Sequence, residues 1–163
     1  MSGFRPSEAT PDDVELYTSG ECHVLAVAIH RRTGWPMHVV LDQDERWWED
    51  PEDDDNWIPA VAHVYCVDPD GNAWDIEGVR PLSEVPSLAS ERFGVRDYDS
   101  DEVRSEEGLK PYIGCWGDDG EEIDRPLCEY GDADVDDAWE AACRALGHLP
   151  GFPAASPASA SRP

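Results

Sequence analysis

Positive charge is what this sequence has least of. Twelve Lys and Arg stand against 37 Asp and Glu, a formal net charge of −25. A phosphate backbone would be repelled, which argues against nucleic acid as a direct ligand, and anionic membrane surfaces are disfavoured for the same reason. Long apolar runs are missing too. No stretch approaches a bilayer crossing, and "MSGFRPSEATPDD" lacks the apolar centre of a signal peptide. These absences predict a cytoplasmic protein without a membrane partner. The five cysteines, Cys22, Cys66, Cys115, Cys128 and Cys143, are odd in number and form no CxxC pair, so they predict reduced thiols and no disulfide framework. No internal repeat is present.

What is there suffices for one core. Of 163 residues, 40% are hydrophobic and seven are Trp. This predicts a single α+β domain over residues 1–150 and a disordered Ala/Ser/Pro-rich tail over 151–163. Residues 1–13 read as a loose leader. Thr18 to Gly34 reads as a helix, with Thr18-x-x-Glu21 as a capping box and Gly34 and Pro36 as its stop. Its centre, Val24 to Ile29, is apolar on nearly every side, which predicts a helix buried on most of its surface. Met37 to Leu41 reads as a strand, and Asp42 to Asn56 as a solvated acidic loop carrying Trp47 and Trp48. Ala60 to Val67 and Ala73 to Val79 form a hairpin around the turn Asp68-Pro69-Asp70-Gly71. Pro81 to Val85 suggests a helical turn, Tyr98 to Glu107 an irregular acidic stretch, and Tyr112 to Trp116 a short strand. Asp134 to Leu146 is a C-terminal helix with an apolar stripe of Val135, Ala138, Trp139, Ala142 and Leu146.

A thiol at the start of a helix feels the positive end of the macrodipole, which favours the thiolate. Cys22 stands there, with Glu21 opposing the effect, so a partner base is needed. Among five histidines, His23 projects about 100° around the helix from Cys22 and is set aside. His63 lies inside an apolar strand, where packing does not ask for it. If Pro69-Asp70-Gly71 is a three-residue loop with a left-handed Gly71, Asp68 pairs with Asn72, and His63, Asp75 and Glu77 share one face. Asp75 is then diagonal to His63. Cys22 would attack an acyl or amide carbon, His63 would carry the proton, and Asp75 would orient the imidazole. The Cys22 N–H would serve an oxyanion, with Tyr17 as a candidate second donor.

At this point "SGECHVLAVAIHRRTG" and "AHVYCVDPDGNAWDIEGV" resemble the core of the papain-like cysteine hydrolases, nearest to the circularly permuted NlpC-type peptidases and the transglutaminase-like branch. The likeness spans Thr18 to Val79. The separation of 12 residues from His63 to Asp75 is similar to the NlpC spacing. The resemblance implies a buried N-terminal helix packed on a small antiparallel sheet, here with an additional C-terminal helix. It implies hydrolysis, deamidation or transamidation of amide bonds in a protein or peptide, basic ones included, through Cys22, His63 and Asp75. No cofactor is expected. The GxCWG-like or GxCxG-like surroundings of those families are absent, since His23 follows Cys22.

Bland alternatives stand beside this reading. Singly, Cys22 is a core residue in a stripe with Leu25, Ala26 and Ile29, His63 a hydrogen-bonded sheet histidine, and Asp75 an edge carboxylate. A zinc set of Cys22, His23, His63 and Cys66 is disfavoured because residues 63 and 66 face opposite sides of a strand, so no metal is assigned. The chain is otherwise a degenerate papain-like scaffold. The competing function is a non-enzymatic acidic binding protein, a polyanion or DNA mimic or an inhibitor of a basic partner, acting through Asp42 to Asp55.

Overall fold

The computed structural model describes residues 3–48, 57–113, 115–116, 122–123 and 127–153. The chain starts with a short strand, β1 (Arg5–Pro6), and two helices, α1 (Pro11–Ser19) and α2 (Cys22–Thr33). The single helix expected from Thr18 is thus two helices. The capping box lies eight residues earlier: Thr10 Oγ1 accepts from the Asp13 amide at 3.1 Å, and Asp13 Oδ2 accepts from the Thr10 amide at 3.3 Å. Thr18 instead closes α1, its hydroxyl donating to Val14 O at 2.5 Å. The amides of Gly20 and Glu21 both turn back to Leu16 O. That break makes Cys22 the first residue of α2. Gly34 ends the helix in a left-handed conformation at φ 76, as its sequence position predicts. The expected loose leader is also docked: Arg5 and Pro6 pair with Val79 and Gly78, and Ser7 Oγ donates to Ile76 O at 2.6 Å.

The following strands are β2 (Met37–Trp48), β3 (Trp57–Val67), β4 (Asn72–Asp75) and β5 (Gly78–Pro81). After α3 (Val85–Phe93) come β6 (Tyr98–Val103), the small pair β7 (Cys115–Trp116) and β8 (Glu122–Ile123), and α4 (Asp132–Leu146). The main sheet is antiparallel, ordered β1-β5-β4-β3-β2-β6, and the architecture is mixed α+β. Four local expectations are corrected. Asp42 is not in a solvated loop, because β2 continues to Trp48. Asp42 is buried and accepts from the amides of Asp44, Asp97 and Arg96 at 3.0, 3.1 and 3.2 Å, so it is a structural anchor. The rest of that acidic segment, 49–56, lies outside the described residues. The stretch from Tyr98 is an edge strand paired with β2, its exposed carboxylates opposing edge-to-edge association. The turn at Pro81 to Val85 opens into the full helix α3. Tyr112 ends a 3-10 helix rather than starting a strand.

α2 is apolar all round because it is covered on two sides. One side lies on the sheet against Val64, Cys66, Trp74, Met37 and Val39; the other meets α4 through that helix's alanine-rich face. α4 begins two residues before the expected Asp134 and keeps the predicted stripe. A second cluster, Val40, Tyr65, Val67 and Ala73 with Val85 and Ala89, fills the space under α3. Part of the expected tail also belongs to the core: Phe152 is buried against Trp74 and Trp139, with ring centroids 5.6 Å from each. Residues 154–163 lie outside the described residues.

The β3–β4 turn has the expected form. Gly71 sits at φ 81, Asp68 N donates to Asn72 O, and Cys66 pairs with Trp74 and Val67 with Ala73. One carboxylate organises it. Asp68 Oδ1 accepts from the amides of Asp70 and Asn72 at 2.9 and 3.0 Å, and Oδ2 accepts from the buried Trp74 Nε1 at 2.8 Å. Asp68→Ala strands three donors and lowers the unfolding free energy by about 2 kcal/mol or more, read by urea denaturation followed by Trp fluorescence.

Candidate active site

Two of the three residues singled out by sequence, His63 and Asp75, are joined directly, and the Cys22 thiol feels the charge of His63. His63 Nε2–H donates to Asp75 Oδ2 at 3.0 Å, and both groups are buried. An ionised carboxylate only accepts, so the bond puts the proton on Nε2 and leaves Nδ1 bare. Asp75 is the last residue of β4. Its second oxygen, Oδ1, accepts from the Glu77 amide at 2.9 Å. Asp75, not Glu77, is therefore the histidine's partner. Glu77 is largely buried and takes Arg92 Nη1 at 2.7 Å instead. The next residue, Phe93, stacks on the His63 ring with centroids 4.9 Å apart. Consecutive residues of α3 thus pin both the turn after Asp75 and the imidazole.

Strand alternation alone would keep His63 away from α2. His63 stacks with Tyr65 and Phe93 on the α3 side, whereas Cys22 lies in the core cluster on the α2 side. β4 ends at Asp75, and only Cys66 and Val67 of β3 pair with it. The link between the two faces is electrostatic: Cys22 and His63 each shift the other's titration. β3 also carries a bulge next to His63, since Val40 pairs with His63 and Leu41 with Val61.

The electrostatics follow from the contacts. Burial pushes the Cys22 thiol up, but the neighbouring His23 and His63 imidazoles more than offset this and bring it down to about 6. Burial lowers His63, while the Asp75 carboxylate it bonds and the Cys22 thiol raise it to about 10. Asp75 is penalised by burial yet held below the usual carboxylate range by His63, with Arg80 and the Glu77 amide assisting. The site therefore favours a thiolate–imidazolium pair at neutral pH, titrating as a coupled unit.

His23, set aside on helix geometry, is fully buried, and its Nε2–H donates to Cys128 O at 2.8 Å. A fully buried histidine in an otherwise apolar helix was the available signal. Phe93 had none, being distant in sequence. Tyr17 is buried, and burial together with Glu21 pushes its phenol up. The other described cysteines differ from Cys22. Cys66 donates to Ala26 O at 3.1 Å and is pushed up by burial, as are Cys128 and Cys143. The side chain of Cys115 lies outside the described residues. Among the described residues, no group of three His, Cys, Asp or Glu is disposed to hold a metal ion, and no helix is long and apolar enough to cross a membrane.

No protein-family model, curated protein or solved structure matches the chain. The site must be judged on its own geometry. Asp75→Asn keeps the shape but removes the charge behind the imidazolium. The rate of Cys22 alkylation by iodoacetamide at pH 7, followed by mass spectrometry of the Cys22 peptide, falls about tenfold or more in that variant.

Proposed function

We infer that the protein is a cysteine-dependent hydrolase or amidase acting on amide bonds of a protein or peptide, with a papain-like arrangement of Cys22, His63 and Asp75. The observation that carries this reading is the buried His63–Asp75 bond with its bare Nδ1 turned to a thiol at a helix start. Cys22 Sγ attacks the carbonyl carbon and forms a thioester as the amide C–N bond breaks. The His63 imidazolium gives its proton to the leaving nitrogen. Neutral His63 then takes a proton from water, or from an acceptor amine, as that group attacks the thioester and restores the thiolate. Asp75 holds the tautomer throughout. Cys22 is the first helical residue, so its N–H has no partner within α2 and is free to face the oxyanion.

Substrate charge follows from the surroundings. A cavity of about 340 Å³ lined by Asp12, Glu15 and Leu16 reaches Gly20, two residues before Cys22. A second, of about 570 Å³, is lined by Glu106, Glu107, Lys110, Ile113, Glu129 and Tyr130, and the Tyr130 ring lies edge-on to His23 at 5.8 Å. The excess of carboxylates in these linings favours a peptide substrate that carries cationic residues. A polyanion mimic would share this surface but would have no use for the buried pair.

Acid and base limits follow from the two titrations. The thiolate is present above about 6 and the imidazolium below about 10, so kcat/KM is bell-shaped with limbs near those values. The test incubates the protein with a library of Arg- and Lys-containing peptides, read by mass spectrometry for cleavage, deamidation or amine incorporation. Cys22→Ala abolishes turnover, by about 10³-fold or more, with the fold retained. Failure of iodoacetamide to modify Cys22 in the folded wild-type protein overturns the enzyme reading.

A further inference from the structure

One buried cation stands apart from the other buried polar side chains. Among the described residues, the buried polar or charged side chains are His23, Asp42, His63, Asp75 and Arg80. Four of them are tied: His23 to the Cys128 carbonyl, Asp42 to three amides, and His63 and Asp75 to each other. Arg80 is 9% exposed, and among the described residues it makes no hydrogen bond and no ion pair. Partners are not scarce in this chain. It carries 37 acidic residues, and Arg31, Arg92, Arg96, Arg104 and Arg144 each hold at least one of them. A guanidinium so far withdrawn from water is costly without acceptors, since it has five N–H donors to satisfy. The sealed polar atoms without partners are His23 Nδ1, His63 Nδ1, Tyr65 Oη and Glu77 Oε1. The Arg80 nitrogens are not among them, so the rim of the guanidinium is reachable from outside.

The strand register explains how the side chain is held. Arg80 lies opposite Ala73, which lies opposite Val67. Alternation puts this row on the α3 side of the sheet. On the other flank, β1 pairs Arg5 with Val79, which brings the preceding Phe4 beside Arg80. Arg80 Cζ lies 4.2 Å from the centroid of the Phe4 ring. Stacking uses the flat face of a guanidinium and leaves its N–H rim free. The neighbouring carboxylates are committed elsewhere. Asp75 gives Oδ2 to His63 and Oδ1 to the Glu77 amide, and Glu77 takes Arg92. Glu84 Oε2 accepts from the Gly3 amide at 2.9 Å. Asp75 feels the charge of Arg80 without bonding to it.

We propose that Arg80 anchors a carboxylate-binding site, in which the guanidinium rim takes both oxygens of the ligand carboxylate while Phe4 covers its face. This inference does not depend on the chemistry of Cys22. A planar monoanion matches the fork of a guanidinium and forms two parallel charge-assisted hydrogen bonds with it. The net charge of −25 opposes a dianion more strongly than a monoanion, so phosphate is the poorer fit. That general repulsion is screened beyond about 8 Å at physiological salt, so the local cation decides. The carboxylate comes from the end of a peptide or from a small organic acid.

The experiment follows the Arg80 Nε–H resonance of the full chain by ¹H–¹⁵N NMR at pH 7 during titration with sodium acetate. The resonance is assigned through its own side chain, so the wild-type measurement needs no variant. The expected result is a saturable shift with a midpoint roughly in the millimolar range, absent when sodium chloride or neutral acetamide replaces acetate. Arg80→Lys keeps the charge and loses the fork. Followed by the Ala73 and Val79 amides, it binds acetate about tenfold or more weakly. An Arg80 resonance that moves no further in acetate than in chloride of equal ionic strength overturns the proposal. So does a folded Arg80→Lys protein that binds acetate as tightly as wild type, or tighter binding of inorganic phosphate than of acetate. N-acetylglycylglycine and its C-terminal amide separate the two sources. Tighter binding than acetate with the amide silent identifies a peptide terminus, and affinity equal to that of acetate identifies a small acid.

Discussion

The structure around the candidate site depends on one buried hydrogen bond, His63 to Asp75. Both groups are shielded from water, and burial penalises the charged form of each. Such a pair persists only when its remaining valences are met. The Glu77 amide and the charge of Arg80 meet those of Asp75, and the face of Phe93 covers the imidazole, whose Nδ1 alone stays bare. The bond also requires that β4 stop at Asp75 and double back at once. Gly78 makes the doubling-back possible. It lies at φ 140, and a Cβ there would come 2.1 Å from Arg5 O, so no other residue lets β1 close over the turn. The glycine, the N-terminal strand and the carboxylate are parts of one constraint.

That constraint explains how a sheet with two covered faces brings together residues from both. α2 lies on one face and α3 on the other, and a continuous sheet would keep their side chains apart. The early end of β4 leaves Asp75 at the strand end, where its carboxylate reaches His63. Function-bearing groups commonly sit where regular pairing stops, because only there can polar side chains be presented without breaking the ladder.

Much of this was legible in the sequence because it is local. Asp68-Pro69-Asp70-Gly71 fixes a three-residue loop through its own side chain and a left-handed glycine, and the loop fixes the β3–β4 register. The apolar ring of residues 24–29 foretold burial on all sides. What was not legible depends on distant partners. Thr10-x-x-Asp13 and Thr18-x-x-Glu21 are equivalent cap patterns on paper, and the choice falls to the amides of Gly20 and Glu21 closing on Leu16 O. β6 was hidden because its carboxylates carry no apolar alternation, and it is held to β2 by backbone pairing and one polar side-chain bond, Gln43 to Asp99. His23 was dismissed by an angle that ignores what covers a helix start. The segment ending at Tyr130 comes from 105 residues away to bury it.

The same physics separates the two functional readings. Acidity is spread over the surface and constrains no atom in the interior. A buried Cys–His–Asp set does the opposite. Replacing a buried ionic pair by apolar residues of similar volume is often neutral or stabilising, so stability alone gives weak reason to keep one. Cys66, on the other flank of α2, shows what a structural cysteine looks like here: bonded to a helix carbonyl, remote from any imidazole, and pushed up by burial. Cys22 has the same burial and the opposite shift. The difference arises from two histidines whose outer nitrogens are tied and whose inner nitrogens are bare, an arrangement that serves a sulfur that must give up its proton.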